Sequence, residues 1–322
     1  MDVFLASPWI PPEWIRAHGL QPRGLCSAEI FPKGSRPLPA GVCALADASV
    51  RFAQTQTGNT VIFSTACDQL RRGFDTAVLH GRPRAFLFNL PATWRTDAAP
   101  HIFRAELERL GQFLLSIGGR APSPELLRRE MLRAGATRRR LLQSAPASSA
   151  RGFAEAVARF HWDGSFSPPS SMMPDSKIPL ALVGGPFLAR DWKWLDELEA
   201  AGARVVLNAT ETGERSLGPA FDDGVSAPPP FDALVRGWCK NMVDVFQRPN
   251  TRLYSWLKPR LADRRARGIV LWHFTNCDLW RAEAPTLRET FGLPVLPLET
   301  GGEAGAEPRE RNRLQAFVES LR

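Results

Sequence analysis

The chain has 322 residues, 44% hydrophobic and 23% charged, an ordinary globular composition with length enough for two domains of common size. Basic residues outnumber acidic ones 41 to 33, a net charge of +8, and nearly all are arginine, whose planar fork suits phosphate. No run of 18 apolar residues is present, which excludes a membrane-spanning helix. The N-terminus has neither a basic n-region nor a long apolar h-region, so the expected location is the cytoplasm. Scattered charge, a single tyrosine and the lack of a basic-aromatic motif argue against nucleic acid as a partner.

In chain order, Pro11 to Ala17 reads as a short helix with prolines at its start, followed by a strand over Gln21–Leu25. A loop rich in Pro and Gly, Phe31 to Gly41, then delivers Cys43. Strands are expected over 60–66 and Ala85–Leu90, a helix between His101 and Gly118, and a further helix capped by Ser123. A stretch rich in Ser, Pro and Ala runs from Ser144 to Pro179 around one helical piece, Ala154–Phe160. It places a domain boundary near 165–178, dividing the chain into 1–170 and 171–322. A strand at Leu180–Val183, a Gly184-Gly185-Pro186 turn, a helix from Asp191 to Ala201 and a strand at Ala203–Leu207 follow βαβ grammar, which implies a parallel sheet. Helices over 231–247 and 252–267, strands over 269–274 and Pro294–Glu299, and a helix Arg309–Leu321 complete the second half.

Five cysteines, Cys26, Cys43, Cys67, Cys239 and Cys277, are widely spread with no CxxC motif, so neither a disulfide framework nor a locally bound cluster is expected. Two of them share a phrase: Thr65-Ala66-Cys67-Asp68 and Thr275-Asn276-Cys277-Asp278 each follow an apolar β-branched run and lead toward a helix. A strand-to-helix handover is where open α/β sheets bind ligands, and N–H groups at a helix start lower a thiol's pKa toward the metal-binding thiolate. Asp68 and Asp278 read as helix caps, Cys26 and Cys239 as packing, with Cys26 also near enough in sequence to the Pro-rich loop to substitute as a ligand.

Taken in order, these segments resemble the D-component of 2-hydroxyacyl-CoA dehydratases and the related benzoyl-CoA reductase subunits. The resemblance runs from Pro12-Glu13 and Gly19-Leu20-Gln21-Pro22 through Cys43, Thr65–Asp68, Arg139–Leu142, Leu180–Gly185, Gly202–Val206 and Glu211–Arg215. It continues to Asn276-Cys277-Asp278, Pro294–Glu299 and Arg313–Glu319. It implies two doubly wound, Rossmann- or flavodoxin-like parallel-sheet domains with a helical insertion, and one [4Fe–4S] cluster in the cleft between them. Cys43 and Cys67 from the first domain and Cys277 from the second would hold that cluster, with the fourth iron left open. It further implies a heterodimer with a homologous second subunit, an ATP-dependent iron–sulfur activator protein, and one-electron chemistry on an acyl-CoA thioester. Arg215 and the arginines of 260–267 are the expected contacts to the coenzyme A phosphates, and Trp162 and Trp272 the expected lining of an acyl pocket. Two departures stand out: the chain is short for the family, and it reads Glu299-Thr300-Gly301-Gly302 where an acidic residue usually precedes the glycines. The alternatives are a supporting or electron-relay subunit of the same complex, a zinc site of the three cysteines with His273, and a cluster-free α/β binding module.

Overall fold

The apolar runs Val61-Ile62-Phe63 and Ile269-Val270-Leu271-Trp272 are buried on every residue, as expected of inner strands of parallel sheets covered by helices on both faces. The computed structural model describes residues 1–27, 41–55, 58, 60–79, 84–169, 177–222, 229–300 and 308–322. In the first half the order is β1 (Asp2–Leu5), α1 (Pro12–Ala17), β2 (Gln21–Gly24), α2 (Ala44–Thr55), β3 (Thr60–Ser64), α3 (Asp68–Leu79) and β4 (Ala85–Phe88). The helices α4 (Ala98–Ser116), α5 (Pro124–Ser144) and α6 (Ala150–Asp163) follow. The second half comprises β5 (Ile178–Gly184), α7 (Lys193–Ala200), β6 (Ala203–Thr210), α8 (Pro230–Asn241), α9 (Thr251–Asp263) and β7 (Gly268–Phe274). It ends with α10 (Asp278–Arg281), α11 (Glu283–Phe291), β8 (Val295–Thr300) and α12 (Pro308–Ser320).

All pairings are parallel, and the two sheets have the same plan: β2-β1-β3-β4 in the first and β6-β5-β7-β8 in the second. Each is an open, doubly wound α/β sheet, as the family resemblance implied, with its switch point between β1 and β3 or between β5 and β7. Pro22 and Pro297 both lie on edge strands, where a sheet tolerates proline, and Pro179 is the second residue of the inner strand β5.

Several elements differ from the sequence reading. β1 was not expected, because Val3-Phe4-Leu5 is short and lies between Asp2 and a proline-rich stretch; yet it is a central strand with all three residues buried. α6 covers 14 residues rather than a short piece. α8 stops at Asn241 and α9 at Asp263, where Arg265 turns the chain with φ of 52°. β6 runs on to Thr210, past the point where the apolar pattern ends, because Asn208 Oδ1 accepts from the Thr210 N–H and hydroxyl inside the fold. The expected loop at 31–40, the glycines at 301–302 and the expected boundary at 170–171 lie outside the described residues.

One apolar cluster joins the facing sides of the two halves, with Phe4, Phe63, Val61 and Phe52 from the first and Leu182, Trp272, Phe274 and Trp194 from the second. α8 belongs to the second half in sequence but packs on α4 and α5 of the first, placing Leu234, Val235 and Trp238 in one cluster with Trp9, Leu107 and Leu110. Beneath it a buried ion pair crosses between helices. Arg138 on α5 donates to Glu13 on α1 and, at 2.8 Å, to the Pro219 carbonyl, while Trp238 Nε1 donates to Glu13 at 3.3 Å.

Candidate functional site

Three cysteines sit immediately before a helix: Cys43 before α2, Cys67 before α3 and Cys277 before α10. The cap position in each repeated phrase therefore belongs to the cysteine, and Asp68 and Asp278 are the first helical residues, where their charge favours the helix start. The two phrases reach this arrangement differently. Asn276 adopts a left-handed conformation, φ 71°, to turn the chain out of β7, whereas Ala66 does not. Asparagine tolerates that region better than other side-chain-bearing residues.

Each thiol faces main-chain N–H groups of its own helix. The Leu70 N–H donates to Cys67 Sγ at 3.5 Å, the Leu45 and Ala46 N–H groups favour the Cys43 thiolate, and the Trp280 N–H favours that of Cys277. Burial acts the other way and wins: it raises all three thiols, Cys277 to about 12, so each is neutral at pH 7 without a bound cation. The three thiols sense one another's charge, Cys43 acting on both Cys67 and Cys277, and Cys277 on Cys67. Residues 24 and 210 positions apart in sequence thus lie close enough for the charge of one thiolate to act on another.

A single side chain touches all three segments. Gln69 Oε1 accepts from the Cys43 N–H at 3.1 Å, and Gln69 Nε2 lies 3.1 Å from the Gly41 carbonyl and 3.5 Å from that of Asn276. Glutamine supplies one acceptor and two donors, which is what this junction requires.

Among the described residues no group of three or more His, Cys, Asp or Glu side chains is gathered tightly enough to hold one metal ion. A single zinc would draw its sulfurs to about 3.8 Å apart, from a Zn–S bond near 2.3 Å. A four-iron cubane seats each thiolate on a different iron, so its ligands stand farther apart than those of one ion. The three thiols at helix starts come from two halves of the chain. The zinc alternative is not assembled: His273 is buried on β7, where Nδ1 lies 3.3 Å from its neighbour's carbonyl, Phe274 O.

The remaining expected site residues are placed elsewhere. Arg215, the expected coenzyme A contact, has a fully buried side chain. It donates to the carbonyls of Ala209, Val243 and Gly184 at 3.0, 2.8 and 2.7 Å and to Asp244, and it lies 4.7 Å from the Trp280 ring centroid. Its fork is filled by protein acceptors. From the 260–267 group, Arg264 pairs with Glu214, and Arg260 lies over the Trp256 ring. Trp272 is a core residue with Nε1 donating to Pro186 O at 3.0 Å, while Trp162, stacked under Arg23, borders an open surface depression with Trp192. Cys239 lies away from the cluster of thiols, next to Arg252. Cys26 is buried and senses Cys43.

The residue the sequence reading missed is Glu211. It follows Thr210 at the end of β6 and is buried, its N–H held by the carbonyls of Gly184 and Gly185 at 3.1 and 3.2 Å. Burial, with the neighbouring Asp244 charge, pushes its carboxyl up to about 8 against the opposing effect of Arg215. Its charge reaches Cys26, Cys43, Cys67 and Cys277. The sequence signal was there in outline, an acidic residue one position past a strand, but β6 was expected to end at Leu207. Behind Glu211 lies a narrow cavity of about 40 Å³, walled by Cys26, Glu211, Glu13, Arg138, His161 and Trp238.

The sequence model of the 2-hydroxyglutaryl-CoA dehydratase D-component family matches residues 9–321. The chain belongs to that family. A D-component is a subunit of a dehydratase-type lyase complex, so this chain is built to work with partner subunits. No curated protein matched the chain in sequence at a significant level. Among the described residues no helix is long and apolar enough to cross a membrane.

Proposed function

We propose that this D-component chain is the iron–sulfur subunit of its complex and that Cys43, Cys67 and Cys277 hold one [4Fe–4S] cluster where the two halves meet. The observation that carries this reading is the convergence of three thiols, each at a helix start, around Gln69. Helix starts and main-chain N–H groups offset the negative charge of a thiolate-bound cluster, and burial keeps water from it. When bound, such a cluster supplies low-potential one-electron chemistry toward an acyl-CoA thioester.

The chain's own contribution is to hold and to shield. The thiols are neutral before loading, so binding the cluster releases their protons. Gln69 fixes the spacing of the three turns, and Arg215 ties β6 and the end of β5 to the loop after α8. The partners of this reading are a homologous second subunit, an ATP-hydrolysing iron–sulfur activator and an acyl-CoA substrate, in the cytoplasm.

Anaerobic reconstitution with iron and sulfide tests it. The wild-type chain should become brown with about four irons per chain, the single alanine variants of Cys43, Cys67 and Cys277 should each lose most of that iron, and Cys239→Ala should keep it. A wild-type chain that stays colourless overturns the reading.

A further inference from the structure

We propose that the Glu211 carboxylate occupies the fourth iron's coordination position, so that the cluster of this chain is held by protein at every corner and is closed to substrate. The inference rests on the three-cysteine reading above and gives the site a role, that of a cluster which carries electrons without binding an acyl-CoA oxygen.

The argument begins with the shared plan of the two sheets. β1, β2 and β3 in the first stand in the places of β5, β6 and β7 in the second. Cys67 lies three residues beyond the end of β3, and Cys277 three residues beyond the end of β7. Glu211 lies one residue beyond the end of β6, and Cys26 two residues beyond the end of β2. Each sheet therefore presents a donor residue at the same two strand ends, one beside its switch point, where doubly wound sheets place their ligands, and one on its edge strand. The first sheet offers two thiols there and the second a thiol and a carboxylate.

Glu211 is only 8% exposed, and no described residue donates a hydrogen bond to its carboxylate. The cation whose charge acts on it, Arg215, spends its donors on three carbonyls and Asp244. Its carboxylate oxygens are not sealed from solvent, and Glu211 lines the cavity it shares with Cys26, so a ligand there has access to it. Its backbone is fixed by the Gly184 and Gly185 carbonyls, and Gly184 itself is pressed so closely on Trp272 that an added Cβ would lie 1.9 Å from the Trp272 carbonyl oxygen. Glu211 thus stands at the same edge of the sheet as Cys277, with β5 between their strands. Asp47 is felt at Cys43 and Asp244 at Cys277, whereas Glu211 is felt at all three helix-start thiols. Cys26, the competing donor, shares a cavity wall with Glu211 and senses Cys43.

The test uses the full chain, reconstituted anaerobically and reduced, as wild type, Glu211→Ala, Glu211→Gln and Cys26→Ala. Iron is counted, and electron paramagnetic resonance spectra are compared in ordinary and ¹⁷O-enriched water. The expected result is a wild-type spectrum unchanged by ¹⁷O, with line broadening in Glu211→Ala as water takes the vacated position, and no broadening in Cys26→Ala. Broadening in the wild type means that water already occupies the fourth position and overturns this inference alone, whatever the variants do. Broadening in Cys26→Ala but not in either Glu211 variant assigns the position to the thiol and likewise overturns it. A wild type without iron overturns the three-cysteine reading as well.

Discussion

Gln69 Nε2 lies 3.5 Å from the carbonyl oxygen of Asn276, so a side chain in the first turn of α3 reaches the residue that precedes Cys277 in the other half of the chain. The same side chain accepts from the Cys43 N–H at 3.1 Å. Gln69→Ala removes these bonds without touching a thiol. The fold should survive with a loss of about 1–3 kcal/mol, as for a small number of partly exposed hydrogen bonds. The reconstituted variant should lose its visible absorbance to an iron chelator several-fold faster than the wild type. Bleaching at the wild-type rate would show that the three turns hold their spacing without Gln69.

Asn276 is one of two described non-glycine residues with positive φ. Asn276→Gly should keep both melting temperature and iron content, whereas Asn276→Val should destabilise the chain by about 1–2 kcal/mol, the cost of a left-handed conformation for an ordinary side chain. Thermal melts of the two variants side by side check it. Equal melting temperatures would mean that the turn before Cys277 relaxes freely.

The Arg138–Glu13 pair is buried on both sides, 1% and 0% exposed, and binds α5, α1 and the chain before α8 together. Removing one partner leaves the other charge buried, so Glu13→Gln should cost roughly 3–5 kcal/mol. The double variant Glu13→Gln with Arg138→Met should recover part of that loss. Chemical denaturation of the three variants reads the coupling directly, and a double variant as unstable as the sum of its parts would refute it.

His161 lies in the cavity wall with Nε2 2.8 Å from Ser216 Oγ, and burial first, then the Arg138 charge, hold its pKa down to about 4. An imidazole whose folded-state pKa lies below its unfolded value of about 6.5 takes up its proton more readily on unfolding. The folded state is then favoured above that value, and the advantage is lost as the pH falls from about 6.5 toward 4. The melting temperature of His161→Gln should therefore depend less steeply on pH in this window than that of the wild type. Parallel slopes would assign the acid sensitivity to other groups.

The strand ends carrying Cys67 and Cys277 were legible in the sequence, because the apolar runs Val61–Phe63 and Ile269–Trp272 each lead into a Thr-x-Cys-Asp phrase. What could not be read is how the remaining pieces meet them. β1 is too short to show a pattern, and β6 finishes in Asn208 and Thr210, whose polar groups are satisfied within the fold and so disguise a strand as a loop. Glu211 was hidden behind that disguise. Arg215 was expected at coenzyme A phosphates only through the family resemblance; the positions of the Ala209, Val243 and Gly184 carbonyls make it a structural clamp. Gln69 left no signal, since its role is set by three segments distant in sequence.

The placement of α8 has a further consequence. The chain completes two strands of its second sheet, returns to the first half to lay down α8 and the bonds from Arg248 N to Ala92 O and from Trp94 Nε1 to Pro249 O, and only then goes back to form β7. The halves are therefore threaded through one another rather than strung in series, and neither can unravel while the other stays whole. Heat should abolish both in one cooperative step. A fragment of residues 177–322 expressed alone would expose the apolar face of α8 and should aggregate. On the proposed reading, such threading leaves no hinge to close on a cluster, and the helix starts that carry the three thiols would be held in place before any iron arrives.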